Sequence, residues 1–134
     1  MEAVSKSEVL LDTNAIFNYK NIVNQGVIDL TNEEPVISQT VADELNEVVG
    51  RGGLNRPGIA NSLRIVADAA SDETQNAVLK ALESFGPAKV QGQAQDLMIA
   101  ATALDTSRPL VTGDQMMFNA IKLINPDFDV RLFP

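Results

Sequence analysis

The segment Glu8–Asn14, EVLLDTN, joins a short apolar run to an acid and two helix-starting residues, and it has a counterpart near the other end of the chain in Pro109–Asp114, PLVTGD. Short apolar runs closed by turn formers read as strands buried on both faces. Each ends on a carboxylate, Asp12 in one case and Asp114 in the other. Two further acids lie at the edges of apolar segments, Glu44 in TVADELNEVV and Asp96 at the head of DLMIAATAL. Four acids gathered into one pocket repel one another unless divalent cations neutralise them. The pattern therefore points to a metal site built from oxygen ligands.

Composition narrows the chemistry. At 134 residues, 45% hydrophobic and 21% charged, the chain has the length and balance of one soluble domain with a real core. It contains no histidine, no cysteine and no tryptophan. An imidazole base, a thiolate nucleophile and a Cys/His zinc cage are all excluded. The lack of cysteine also excludes a disulfide framework without fixing the compartment. No stretch reads as a signal peptide or a membrane span, so the cytoplasm is the expected site of action. The net charge of −8 runs against a nucleic-acid partner, whose phosphates call for a basic surface. Either the ten Lys and Arg residues are locally concentrated or metal ions supply much of the attraction.

Along the chain, strand and helix signals alternate. Residues 8–11 predict a first strand, and the Asp12-Thr13-Asn14 cluster opens a helix from Ala15 to about Val23. Pro35–Ser38 predicts a second strand. Thr40 with Asp43 resembles a capping box ahead of Val41, Leu45 and Val48 at helical spacing, which puts Glu44 on a helix. The glycine-rich stretch from Gly50 to Gly58 is a loop. Helical spacing at Ile59, Leu63, Val66 and Ala67 predicts a helix over 59–69, and Ser71 with Thr74 opens another to about Phe85. Together these form an inserted helical hairpin at about 50–86. Gly86–Gln93 is a connection, followed by a helix over 95–106, a strand over 110–112, a helix over 115–124 and an edge strand over 129–133. Such alternation predicts an α/β fold, a mostly parallel sheet of four to five strands covered by helices on both faces.

A parallel sheet gives the physical reason to group the acids. Ligands of open α/β sheets bind beyond the carboxyl ends of the strands, where the strand order reverses. If the strands ending at Asp12 and Asp114 are neighbours, a spacing of about 4.8 Å brings the two carboxylates close enough to share cations. Glu44 and Asp96 must then come from helices that begin on the same side. Each acid also has a plainer reading: Asp12, Asp96 and Asp114 precede helices and suit N-caps, and Glu44 suits a solvated helix face. Asn14 suits a turn and Thr112 a strand. The joint order favours the shared site.

LLDTNAIF, then an acid in VADEL, then DLMIAATAL and LVTGD resemble the four-part acidic pattern of PIN-domain ribonucleases, especially VapC-type toxins. A looser resemblance extends to PIN modules at the ends of large secreted bacterial toxins. The resemblance runs from Asp12 to Asp114 and implies a three-layer PIN-like fold. It further implies a metal-binding catalytic set of Asp12, Glu44, Asp96 and Asp114, supported by Thr13, Asn14 and Thr112 through hydrogen bonds that fix carboxylate rotamers. The activity it implies is Mg²⁺- or Mn²⁺-dependent hydrolysis of RNA, tRNA among the candidate substrates. Arg51, Arg56 and Arg64 are the candidate phosphate contacts. The implied partners are an inhibitory antitoxin or immunity protein and a second copy in a homodimer.

Rival readings differ in class. A haloacid-dehalogenase-type phosphatase needs an aspartate two residues after Asp12, where this chain has Asn14. A receiver-type phosphoacceptor needs a late lysine at a strand end, whereas Lys122 falls inside a predicted helix. An inert scaffold whose acidic pocket binds a basic protein remains open, since arginine forms strong charge-assisted bonds to carboxylates.

Overall fold

The computed structural model describes residues 6–50, 62–85 and 94–133, with the backbone alone described at 47–50 and 94–96. Its elements run β1 (Ser7–Leu11), α1 (Thr13–Phe17), α2 (Tyr19–Asn24), β2 (Glu33–Ser38), α3 (Gln39–Gly50), β3 (Arg64–Val66), α4 (Asp72–Phe85), α5 (Ala94–Thr106), β4 (Leu110–Thr112), α6 (Gln115–Ile124) and β5 (Val130–Leu132). The five strands form one sheet in the order β3-β2-β1-β4-β5, and every pair is parallel. β1 is central and the chain winds outward from it in both directions. Val9, Leu10 and Leu11 are all fully buried, as a strand covered by helices on both faces requires. No helix among the described residues is long and apolar enough to cross a membrane.

The expected α/β architecture is therefore present, with three local differences. The helix expected from Ala15 to Val23 is two helices broken at Asn18, whose Nδ2 donates to the Asn14 carbonyl at 2.8 Å. A side chain that bonds its own preceding turn competes with the helical ladder. The N-terminus of α3 is not a Thr40/Asp43 capping box: Ser38 Oγ accepts from the Val41 N–H at 3.3 Å, while Thr40 donates its hydroxyl to Asp68. The third difference is topological. Within the segment expected as a helix over 59–69, Arg64–Val66 is strand β3, in register with Val36, Ile37 and Ser38 of β2. The free edge of β2 satisfies the backbone of this β-branched stretch, and tertiary pairing overrides the helical spacing. A purely helical insertion is thus replaced by β3 followed by α4. The Gly50–Gly58 loop and the 86–93 connection lie outside the described residues, apart from Gly50 at the end of α3.

Polar contacts secure the frame away from the sheet. Ser71 Oγ accepts from the Thr74 N–H at 3.1 Å, so α4 starts where expected. Asp105 on α5 accepts from the Ser71 N–H and the Thr74 hydroxyl, and the Thr74 bond leads in holding its carboxyl below the ordinary carboxylate range. Arg131 on the edge strand β5 bonds Glu33, Asp129 and the Val27 carbonyl, tying that edge to the turn before β2.

Helix α5 ends with Ser107 in the left-handed region, φ 55°. Its N–H donates to Leu104 O and that of Arg108 to Ala103 O, the paired closure that glycine adopts without steric cost. Ser107→Gly is expected to stabilise the domain by about 0.5–1 kcal/mol, read as a higher urea midpoint at unchanged m-value. A lower midpoint would show that the serine side chain holds the turn.

Candidate active site

The reversal of strand order falls between β1 and β4. β1 leads through α1 and α2 to β2 on one side, whereas β4 leads through α6 to β5 on the other. Leu10 pairs with Leu110 and Leu11 with Val111, so Asp12 emerges beside Thr112 at the carboxyl edge. Its backbone N–H donates to Val111 O at 3.2 Å. The expectation that the two acid-bearing strands are neighbours is met.

Asp12 is only 8% exposed. Its Oδ1 accepts from the Ala15 N–H at 2.7 Å, which makes it the N-cap of α1. Its Oδ2 accepts from the Thr112 hydroxyl at 2.6 Å and from the Gly113 N–H at 3.4 Å. Burial nevertheless pushes its carboxyl above the ordinary value of 3.8, against the lowering effect of these bonds, and the neighbouring charge of Asp114 adds to the rise. Asp114 caps α6, with Oδ1 accepting from the Met116 and Met117 N–H groups at 2.9 and 3.2 Å. Its own N–H donates to Thr112 Oγ1 at 3.1 Å. The buried Thr112 hydroxyl thus sits between the two acids, giving a bond to one and taking a bond from the other. Capping and site membership coincide at both aspartates.

A small, partly open cleft lies here, lined by Asp12, Thr112, Asp114, Ile99, Leu110 and Met117. Its floor is acid and its walls are aliphatic. Ile99 belongs to α5, and Asp96 lies three residues earlier in the first turn of the same helix. The Asp96 side chain lies outside the described residues. Glu44 lies on α3, half-buried, with Oε2 enclosed and without a hydrogen-bond partner among the described residues. The only other such atom described is Thr13 Oγ1, on α1, and α1 packs against α3. Among the described residues no three acidic side chains converge closely enough to hold a metal ion. The acids shown together are Asp12 and Asp114.

The supporting residues divide. Thr112 has its expected role. Among the described residues Thr13 makes no bond to a carboxylate, its hydroxyl being enclosed without a partner, and Asn14 is exposed, with its backbone carbonyl accepting from Asn18. Arg64 does not reach the mouth. It begins β3 at the amino edge, where it pairs with Glu8 and Glu34, and Glu8 lies four residues, about 13 Å of strand, before Asp12. Arg51 and Arg56 lie outside the described residues. Three contributors were not read from the sequence: the N–H groups of Ala15 and Gly113, and the apolar wall. Gly113 carries a legible signal, standing between Thr112 and Asp114, where a Cβ would meet Phe133 Cζ at 3.0 Å.

An all-parallel sheet with an acid pair at its switch point defines a recognisable class of α/β domain. No protein-family model and no curated relative matches the sequence. Solved structures do match. The chain is similar to one in the structure of VapBC2 from Rickettsia felis bound to a promoter DNA fragment, with TM-score 0.59, 21% identity, and 95% of this chain and 99% of that one covered. It is similar to VapBC-1 from nontypeable Haemophilus influenzae, with TM-score 0.57, 20% identity and coverage of 93% and 97%. A domain of a functionally unknown protein from Methanocaldococcus jannaschii gives TM-score 0.62, 17% identity and coverage of 96% and 91%. The chain has a VapC-like PIN-domain fold.

The raised pKa of Asp12 means that the native state keeps a proton on this carboxyl where the unfolded chain has lost it. That contribution to stability is complete below the ordinary carboxylate value and is lost as pH rises through the folded value. At neutral pH the ionised group is a cost. The metal-free wild type should therefore lose melting temperature as pH rises from the ordinary carboxylate value toward neutrality, and Asp12→Asn, whose amide keeps the capping oxygen but gives up the acceptor for Thr112 and Gly113, should flatten that part of the profile. An unchanged pH dependence in D12N would contradict this account. Thr112→Val keeps the shape but strands the Asp114 N–H and removes a bond to Asp12. It should cost about 1–3 kcal/mol in urea denaturation.

Proposed function

We propose that this protein is a metal-dependent endoribonuclease and acts in the cytoplasm as a toxin restrained by a cognate antitoxin or immunity protein. The observation that carries the reading is the buried Asp12 carboxylate, desolvated and set against Asp114 at the switch point, with no cation of the described chain to neutralise the pair. A structural role alone would be served as well by a neutral cap. The VapBC neighbours are toxin–antitoxin complexes, which supports a similar restraint here.

The donor set suits Mg²⁺ or Mn²⁺, since the candidate ligands are all carboxylate oxygens, as hard cations require. Asp12 and Asp114 would hold the ion and Asp96 would complete the set, while Glu44, which the described structure does not bring to the pair, would orient the attacking water, a role that would give its enclosed, unpartnered Oε2 a partner. When bound, such a cation makes water a competent nucleophile at neutral pH and offsets charge on the phosphate. The chain's own residues do the positioning. Thr112, the Gly113 N–H and the Ala15 N–H lock the Asp12 carboxylate in one orientation. Asp114 is fixed by the first turn of α6, which leaves Oδ2 unused by the cap. Ile99, Leu110 and Met117 exclude bulk water on one side and strengthen the electrostatics of the cleft.

The deciding experiment incubates mixed cellular RNA with wild type, Asp12→Asn and Asp96→Asn, with and without Mn²⁺ or Mg²⁺, alongside calorimetric titration of Mn²⁺. Wild type should cut only with metal, and both variants should lose cutting and weaken Mn²⁺ binding by at least about tenfold. Equal inactivity of all three proteins, with unaltered Mn²⁺ binding, would remove the nuclease from consideration.

A further inference from the structure

Phe133 follows β5, is 7% exposed and belongs to the apolar core. Leu132 pairs with Thr112 in the β4–β5 ladder, and the Phe133 N–H extends that ladder by donating to Thr112 O at 3.1 Å. Its backbone is thus tied to the residue that opens the Thr112-Gly113-Asp114 turn. The ring reaches the next residue of that turn: a Cβ placed on Gly113 would meet Cζ at 3.0 Å and both Cε1 and Cε2 at 3.4 Å. With Cζ nearest and the two Cε atoms equidistant, the tip of the ring meets the glycine, end-on.

This turn carries the hydrogen bonds that join the two acids. The Thr112 hydroxyl donates to Asp12 Oδ2 at 2.6 Å, the Gly113 N–H donates to the same oxygen at 3.4 Å, and the Asp114 N–H donates to Thr112 Oγ1 at 3.1 Å. Thr112 is fixed by strand pairing and Asp114 by the α6 cap. Gly113 has no side chain, and the three atoms nearest to its missing Cβ all belong to Phe133. Its bond stands at the long limit of hydrogen-bond range, so a small displacement of the glycine decides its strength.

Resting on the nuclease reading, we infer that Phe133 is a positioning residue for the acid pair: its ring tip sets the place of Gly113, and with it the N–H that orients the Asp12 carboxylate. Phe133 does not line the cleft and acts through Gly113. A plain core role would tolerate any apolar side chain of similar volume. A positioning role makes the sizes at 113 and 133 interdependent. Leucine at 133 has no atom where Cζ stands, and a methyl group at 113 would refill part of that gap.

The test compares wild type with Phe133→Leu, Phe133→Ala, Gly113→Ala and the double variant Gly113→Ala/Phe133→Leu. Val130→Ala serves as control, a buried change in β5 that faces Leu110 and not the turn. Measured are kcat and KM for RNA cleavage with Mn²⁺, Mn²⁺ affinity by calorimetry, and hydrogen exchange of the residue-113 amide in the metal-free ¹⁵N-labelled protein. Both Phe133 variants and Gly113→Ala should lose about ten- to hundredfold in kcat or Mn²⁺ affinity at unchanged KM, with faster exchange at residue 113. The double variant should recover most of the loss of its two parents. Val130→Ala should lower the urea midpoint and leave the other readouts as in wild type. Losses in Phe133→Leu no larger than in Val130→Ala, an unmoved residue-113 amide, or a double variant as impaired as its parents combined overturns the inference. Wild type that cuts no RNA overturns the nuclease reading instead, and Mn²⁺ affinity together with the residue-113 amide then decides the role of Phe133.

Discussion

The pairing of β1 with β4 is the constraint on which the rest depends. Two short strands that stand about a hundred residues apart in the chain meet through Leu10–Leu110 and Leu11–Val111, and both partners are fully buried. Their register is strongly specified, because a slip by one residue would turn every core side chain to the opposite face. The same register delivers Asp12 to Thr112 and, two residues on, to Asp114. The geometry of the acid pair is therefore inherited from the apolar packing of the strands beneath it.

Holding acids in such a place costs stability, and the fold limits that cost by giving each acid a second task. Asp12 caps α1 and Asp114 caps α6, so their oxygens meet N–H groups that would otherwise be orphaned. The hydroxyl of Thr112 ties the two caps together. These bonds do not fully compensate Asp12, whose carboxyl is still pushed upward by burial. A residual penalty at neutral pH is what distinguishes this aspartate from an exposed one such as Asp105, which its bonds from Thr74 and Ser71 hold below the usual range.

The sheet and the acid pair were legible in the sequence because their signals are local and redundant. EVLLD and LVTGD each combine a buried apolar run with an acid and a helix start, and the helices at 72–85 and 115–124 carry their own starts. β3 was not legible, since Arg64–Val66 is a three-residue strand whose identity depends on an edge supplied by β2, and its Ile65 is 47% exposed. Ser38 was overlooked as a cap because Thr40 and Asp43 imitate one by spacing. Arg64 was misplaced for the same reason that β3 was missed: with the segment taken as a helix, nothing indicated that its guanidinium would meet Glu8. The roles expected of Thr13 and Asn14 rested on adjacency to Asp12, and adjacency on a helix sends successive side chains in different directions.

Topology also accounts for how a domain can tolerate acids at one edge with none of the described arginines beside them. In a parallel sheet every helix that leads into the next strand runs back from the carboxyl edge, so its N-terminus opens there. α1, α3, α5 and α6 all do so, and Asp12, Glu44, Asp96 and Asp114 each fall at the cap or within the first two turns of one of these helices. The partial positive charge of free N–H groups at helix starts favours carboxylates. This support is weak for each group and fixed in position, unlike an arginine, whose guanidinium would enter the carboxylate cluster and close it. With the described arginines engaged elsewhere, backbone N–H groups and the Thr112 hydroxyl steady the acid pair without occupying the space between the carboxylates and the aliphatic wall.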